Sequence, residues 1–377
     1  MSNELSFQIK YLLPYEYDYL ESLSPGVAHK VSQQVKAMNT NETECELICL
    51  PSQQNKLGKI LKRLPGFSDG IKWNCFEQGK NFDVIYLRKP DFFSKEMLGF
   101  LENIKMRDPK KVIILEIPTY PYDSEISSFS QLPKLIKDKI HRRDLNHYID
   151  AIVSLVEEEN IFGVKNIPII NGINLDSVSE RKSCCNTNIV NILCVAAFAS
   201  WHGADRILKG IAQYNGDRPI KLYLAGDGPA MPELKKLAHE LGIADQVVFC
   251  GMCKRRQLDE IYNNCTLAIA SLGLHRIGLE LASTLKTREY LAKGIPFVYS
   301  GEIDVFQKEP VDFCLQIPAN EEPVDVERLI QFHDRLYLRK KESDLITEIR
   351  AYAERNVSMD AAMKPVIDYV REAVSER

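Results

Sequence analysis

The chain has 377 residues, 45% of them apolar and 27% charged, with a formal net charge of −4; it is long enough for two domains with separate cores and is not charged like a general nucleic-acid binder. Its ten cysteines fall mostly inside apolar runs, as at Cys49, Cys194, Cys250 and Cys314, the placement of reduced core thiols rather than of a disulfide framework. No apolar run approaches the roughly 20 residues of a membrane span, and the N-terminal MSNELSFQIKYLL has no long apolar region, so a cytoplasmic location is expected.

In chain order, strand-like runs at 82–88, 111–117, 151–156 and 167–173 alternate with helical stretches near 94–105 and 133–149, a parallel α/β pattern. The polar segment LDSVSERKSCCNTN, 175–188, reads as a hinge. Beyond it the alternation restarts with strands at 189–199, 220–226, 246–251, 266–271 and 296–300. The expected architecture is α/β, with two Rossmann-like, doubly wound parallel-sheet domains, 1–175 and 188–355, facing a central cleft. Residues 321–377 are charged and helix-rich, and the segment from about 356 to 377 is expected to cross back onto the first domain. Cys250 and Cys253 form a lone C-x-x-C without a second ligand pair, and Cys184 and Cys185 lie in the polar linker, so no metal site is expected.

Ligands of open α/β sheets bind beyond the carboxyl ends of the strands, which directs attention to the loops 199–206, 226–230, 251–256 and 272–284. Gly226 and Gly228 allow close backbone approach, but G-x-G-x-x-G is not completed and the nicotinamide fingerprint is absent. The stretch LKTREYLAKGIPFV, 285–298, reads as a helix from Thr284 or Leu285 to Lys293, stopped by Gly294 and Pro296. Lys286 and Glu289 share one face of it. An ordinary surface ion pair is the plain reading. The alternative is that the helix N-terminus with Lys286 and Arg276 takes a phosphate, while Glu289 accepts hydrogen bonds from a pair of hydroxyls; a diphosphate joined to ribose has both features.

Three runs together resemble the nucleotide-sugar domain of retaining GT-B glycosyltransferases of family 4: Gly226-Asp227-Gly228-Pro229, Val247-Val248-Phe249-Cys250-Gly251, and Ser283-Thr284-Leu285-Lys286-Thr287-Arg288-Glu289-Tyr290-Leu291-Ala292-Lys293-Gly294-Ile295-Pro296. The resemblance covers most of the second domain, with Thr284 where the family has proline. It implies that Glu289 holds ribose and Lys286 the diphosphate, with Gly226, Gly228, Gly251, Met252, Ser283, Thr284 and Leu285 also around the donor. The run Trp201-His202-Gly203-Ala204-Asp205-Arg206 and the loop LHRIG are similar to those of a polysaccharide-cluster subgroup, which implies His202 and Arg276 near the donor phosphates or sugar. Arg206 is expected to pair with Asp205 or a neighbour.

The sequence also departs from the family. The first carboxylate of the E-x7-E pattern is Leu281 here, with Glu280 out of register, and the usual G-R-x5-K-G phosphate clamp is replaced by AFASWHGADR. In the first domain SPGVAHKVSQQV and EIPTYPY are similar to family segments, which implies that Gly26, Thr119 and Tyr120 lie on the acceptor side. The resemblance implies retaining transfer from a UDP- or GDP-linked nucleotide-sugar donor to a glycan or lipid-linked acceptor of a cell-surface polysaccharide, without metal or other cofactor. Rival readings are a nucleotide-sugar 2-epimerase and a non-catalytic sugar-binding homologue. The basic stretches 56–64 and 137–143 are candidates for peripheral contact with the inner face of an anionic membrane, against solvated helix faces.

Overall fold

The computed structural model describes residues 7–52, 58, 61–76, 81–123, 131–183 and 188–375. The chain divides into two compact units, Met1–Ile169 with Met359–Arg377, and Ile170–Ser358.

In the first unit the apolar runs make β1 (Phe7–Leu13), β2 (Thr43–Cys49), β3 (Val84–Arg88), β4 (Val112–Glu116), β5 (Ala151–Ser154), β6 (Asn160–Ile161) and β7 (Val164–Pro168), in the order β2-β1-β3-β4-β5-β7-β6. All neighbours are parallel except β6 against β7. Every residue of β3 and β4 is buried, as a parallel sheet covered on both faces requires. β1 and β2 were not legible as strands because charges interrupt them. Lys10 and Glu46 occupy neighbouring strands and pair at 2.7 Å, which accommodates them at the sheet edge. The helix expected over 133–149 is shorter, Leu132–His141, and passes into a 3₁₀ segment at Arg142–His147.

Helices of this unit are α1 (Tyr17–Leu23), α2 (Pro25–Ala37), α3 (Lys95–Arg107) and α4 (Leu132–His141). The final helix, Met359–Ser375, belongs to this unit too, packing on α2, β4 and β7. Its Arg371 Nε donates to Glu42 Oε2 at 2.7 Å.

The second unit has β8 (Val190–Val195), α5 (Ala204–Gln213), β9 (Ile220–Ala225), α6 (Met231–Glu240), β10 (Val247–Gly251), α7 (Arg255–Asn264), β11 (Leu267–Ile269), β12 (Leu281–Ala282), α8 (Leu285–Lys293), β13 (Phe297–Ser300), β14 (Glu302–Ile303), α9 (Asp304–Lys308), β15 (Cys314–Ile317), α10 (Val326–Arg339) and α11 (Glu342–Asn356). The order β10-β9-β8-β11-β13-β15 reverses direction between β8 and β11, so the loops after those two strands flank the switch point of the sheet. β12 and β14 form a separate two-stranded pair.

The expected hinge at 175–188 is not free over its described part. Arg181, 3% exposed, donates from its backbone to the Lys293 carbonyl at 2.9 Å, from Nε to the Gly294 carbonyl at 3.2 Å and from its guanidinium to Glu342 at 2.6 Å. Arg350 reaches the carbonyls of Leu175 and Val178. The division therefore falls at 169/170 and 358/359 instead of across this polar segment. Cys184 and Cys185 lie outside the described residues.

Gly294 ends α8 in the left-handed region, φ +71°, and a Cβ there would stand 2.7 Å from Ile346 Cγ2 and 2.8 Å from its carbonyl oxygen. Gly294→Ala adds the left-handed cost of roughly 1–2 kcal/mol, which lowers the thermal midpoint by about 2–8 °C. Scanning calorimetry of the full chain checks this, and an unchanged midpoint would show that the turn does not need glycine.

Candidate functional site

α8 begins after Thr284, whose backbone is extended (φ −86°, ψ 140°) but whose side chain does not cap the helix. Thr287 Oγ1 donates to the Thr284 carbonyl at 2.8 Å, so the two threonines satisfy one another and leave the first-turn N–H groups without a side-chain acceptor. Such an end favours an anion. Leu285 is exposed beside it. Ser283 is engaged, its hydroxyl accepting from Arg288 at 3.2 Å and its carbonyl from Asn171 at 3.3 Å.

Lys286 is half-buried on the first turn, and its ammonium reaches the Ser271 hydroxyl at 3.5 Å. Among the described residues it forms no ion pair, and it does not pair with Glu289. Burial pushes the ammonium down from its ordinary value. Glu289 is also half-buried, and burial pushes its carboxyl up against the pull of Lys293 and of the Tyr262 hydroxyl, which lies near without completing a hydrogen bond. Both of its oxygens retain acceptor capacity.

The neighbouring cations differ. Arg288, fully buried, holds Asp304 at 2.6 and 2.5 Å. Lys293 holds Asp259 at 2.5 Å. Arg206, 1% exposed, places its guanidinium on the carbonyls of Leu272, Pro318 and Glu322 and on Asn320 Oδ1. Of the two partners expected, Asp205 or a neighbour, it therefore takes neighbouring carbonyls and Asn320 and makes no ion pair with Asp205. Asp205 is taken by Arg276, which grips it with two bonds of 2.9 and 3.0 Å and spends its remaining N–H groups on Glu321 and the Ser200 carbonyl. All five donors of Arg276, which the resemblance implies near the donor phosphates or sugar, are thus occupied within the protein, and its guanidinium fastens the 200–205 loop to 276 and 321. Arg276 and His275 hold the Glu321 carboxyl down to about 2.

His202 lies in the loop after β8, half-buried. The Ala199 backbone N–H donates to its Nδ1 at 3.0 Å, which puts the proton of the neutral ring on Nε2 and makes that nitrogen a donor. Burial, and then the charge of Lys286, lower the imidazole to about 4, so at neutral pH it is uncharged. Gly203 follows at φ +65°, where a Cβ would meet the Leu272 carbonyl carbon at 2.7 Å; the loops after β8 and β11 touch there, the Leu272 N–H donating to the His202 carbonyl at 3.0 Å.

Gly226 and Gly228 were expected to bring backbone to a ligand. In the structure they bring backbone to backbone, since a Cβ would stand 2.0 Å from Ala196 O at the first and 2.4 Å from Phe198 O at the second. Gly251 accepts from the Gly226 N–H at 2.8 Å, and Met252 beyond it is 80% exposed. A groove of about 540 Å³ in this unit is lined by Trp201, Asp205, Pro229, Glu233 and Arg276, not by Lys286 or Glu289. Sequence reading missed Ser271 as a partner of Lys286; its signal was its place at the end of β11, beside the switch point.

In the first unit a polar cleft of about 320 Å³ is lined by Lys89, Asp91, Thr119, Tyr122, Lys134 and Asp138 among others. Thr119 is therefore at a cavity. Tyr120 packs its ring edge-on to Phe162, centroids 5.7 Å apart, and is not part of the lining. Gly26 is exposed in the first turn of α2, with nothing within 4 Å of a Cβ. The cleft residues Lys89 and Asp138 were not anticipated from sequence. Lys89 follows the end of β3 and Asp138 lies within α4, and neither carries a motif.

Residues 181–300 match the family described as glycosyl transferases group 1. Among solved structures the chain is similar to a glycosyltransferase from Rickettsia africae (TM-score 0.57, 11% identity, 99% of this chain and 100% of that one). It is similar also to sucrose-phosphate synthase from Thermosynechococcus elongatus (0.55, 14%, 98% and 100%) and to Anabaena HepE in complex with UDP and glucose (0.55, 13%, 98% and 100%). No curated protein matches the sequence. The fold is that of GT-B glycosyltransferases, and the match to group 1 glycosyl transferases falls within the second unit.

Because the folded value of His202 lies below its ordinary 6.5, the unfolded chain takes up the proton first as pH falls. This contribution to stability is complete above about pH 6.5 and is lost as pH drops toward about 4. His202→Gln, which cannot titrate, flattens that part of the profile. Denaturant unfolding of both proteins between these limits is the measurement, and identical slopes would mean that the imidazole is not held neutral.

Proposed function

We propose that this GT-B glycosyltransferase moves a hexosyl or N-acetylhexosaminyl unit, with retention, from a UDP- or GDP-linked donor to a hydroxyl of a glycan or lipid-linked acceptor in cell-surface polysaccharide assembly. The observation that carries the reading is the first turn of α8, where an ammonium without a carboxylate stands at an uncapped helix end and a carboxylate with unused acceptor capacity follows three residues later. The resemblance of 283–296 to donor-binding segments supports it.

In this reading Lys286, the helix N-terminus and the Nε2–H of His202 receive the diphosphate, and Glu289 accepts from the ribose hydroxyls. Met252 and Gly251 face the base, and the glycine-packed 226–230 loop shapes the rim. As the bond from the anomeric carbon to phosphate oxygen breaks, its electron pair passes to the leaving diphosphate, whose growing charge these donors stabilise. The acceptor oxygen bonds to the anomeric carbon on the face being vacated, and its proton goes to the departing phosphate oxygen. Thr119 and the first-unit cleft belong to the acceptor side. The positive groups supply the charge that a metal ion would bring, so activity is expected to persist in EDTA; complete loss restored by manganese would refute a metal-independent transfer.

Ribose hydroxyls change little between bound donor and transition state, so Glu289→Gln raises the donor KM with kcat nearly unchanged. The diphosphate gains charge, so Lys286→Ala lowers kcat; loss of a charge-assisted hydrogen bond of roughly 1.5–3 kcal/mol corresponds to about 10- to 150-fold. Initial rates against donor at saturating acceptor separate the two, and wild-type constants for both variants would move the donor site elsewhere.

A further inference from the structure

We propose that the groove of the second unit beside Trp201 binds a neutral glycan, at a site separate from the first turn of α8. Within the run Trp201 to Arg206, the transfer described above uses only His202, and the packing of the loops uses Gly203, Asp205 and Arg206. Trp201 is left 40% exposed on the 3₁₀ turn Ser200–His202, where it lines the groove of about 540 Å³. The lining continues through Pro229 into the first two turns of α6, on which Glu233 and Leu237, four apart, share one face. The volume lies within the roughly 300–1,000 Å³ of small-ligand sites. An exposed indole offers a sugar ring an apolar face and one N–H donor, and a carboxylate in the same groove accepts from a pair of hydroxyls.

The charges of the groove choose between ligands. Arg276 grips Asp205 at 2.9 and 3.0 Å, Lys209 reaches the same carboxylate at 3.2 Å, and the other Arg276 donors are spent on Glu321 and the Ser200 carbonyl. The one cation of the lining is therefore closed to an anionic ligand. The Trp201 indole N–H and the exposed Glu233 carboxylate, by contrast, take no partner among the described residues. A uronate, a phosphosugar or the phosphates of a nucleotide would bring charge against Glu233 without compensation, whereas the hydroxyls of a neutral sugar match both groups. A protein surface fits less well, because α6 beyond the groove exposes Lys235, Lys236 and Glu240 in place of an apolar face. The groove is also set before a ligand arrives. Arg276 holds the Ser200 carbonyl at 2.7 Å, the Leu272 N–H holds the His202 carbonyl at 3.0 Å, and the Ala230 N–H ties the start of α6 to the Phe198 carbonyl at 3.0 Å. Little ordering remains to oppose binding. The Trp201 and His202 rings lie 5.7 Å apart, so, joined to the transfer proposed above, the groove holds a non-reacting part of a glycan beside the donor.

The proposal is independent of that transfer, because oligosaccharide binding and not turnover is the readout. The full chain is titrated calorimetrically with maltotetraose, cellotetraose and chitotetraose, and with the anionic trigalacturonate for comparison. At least one neutral oligosaccharide is expected to bind, about tenfold or more tighter than trigalacturonate at low salt. Trp201→Ala and, separately, Glu233→Gln each weaken that binding about tenfold or more, through the lost ring face and the lost charge-assisted acceptor. Glu233 is exposed, so its variant keeps the thermal midpoint of wild type. Lys286→Ala leaves oligosaccharide binding unchanged, so failure of the donor site and failure of this groove are read separately. No binding of any of the three neutral oligosaccharides, equal binding of trigalacturonate, wild-type affinity in either groove variant, or loss of binding in Lys286→Ala would each overturn the proposal.

Discussion

The second unit is arranged around an ammonium that no carboxylate among the described residues neutralises. Placing a lysine in a half-buried position weakens its proton affinity, and the usual remedy is an acidic partner. Arg288, Lys293 and Arg276 each have one, in Asp304, Asp259 and the pair Asp205 and Glu321. Lys286 has a serine hydroxyl at 3.5 Å. The same charge bears on His202, which burial already disfavours as a cation, so the ring remains a neutral donor. An anion entering this region would meet one full charge, one neutral donor and one helix end.

That arrangement depends on loops packed more closely than side chains permit. Gly203 brings the loop after β8 against the loop after β11, and Gly226 and Gly228 bring the loop after β9 against residues 196–198. Arg206 then threads its guanidinium through the carbonyls of 272, 318 and 322 from below. Backbone contacts of this kind hold loop geometry without apolar burial, which suits a surface that has to remain polar. The motif Trp201 to Arg206 is thereby explained mostly as architecture, with His202 as its chemically available member.

The first unit shows the same economy with a different network. Glu116, 1% exposed, accepts from Arg88 at 2.8 Å, from Tyr11 at 3.0 Å and from Gln34 at 3.0 Å, joining β4, β3, β1 and α2. A buried carboxylate satisfied on this scale holds register and position, since removing any partner leaves a buried charge unpaired. Within EIPTYPY, Glu116 is therefore structural, Thr119 reaches a cleft and Tyr120 packs on Phe162.

Sequence alone determined the alternation of strand and helix, the two-domain α/β class and the ends of α8, because apolar periodicity, a left-handed Gly294 and the Gly-Ile-Pro break act over a few residues. It also placed Lys286 and Glu289 on one face, since helix geometry fixes neighbours three apart. It did not determine β1 and its neighbour β2 at the sheet edge, whose charges are tolerable only because Lys10 and Glu46 meet across the sheet. Nor could it tell which cations are free. Arg276 meets Asp205 across 71 positions and Glu321 across 45, and Arg181 meets Glu342 across 161. Charge compensation is a property of distance in space, and only the tertiary structure decided that Arg276 is consumed by its neighbours while Lys286 is left with its charge unspent.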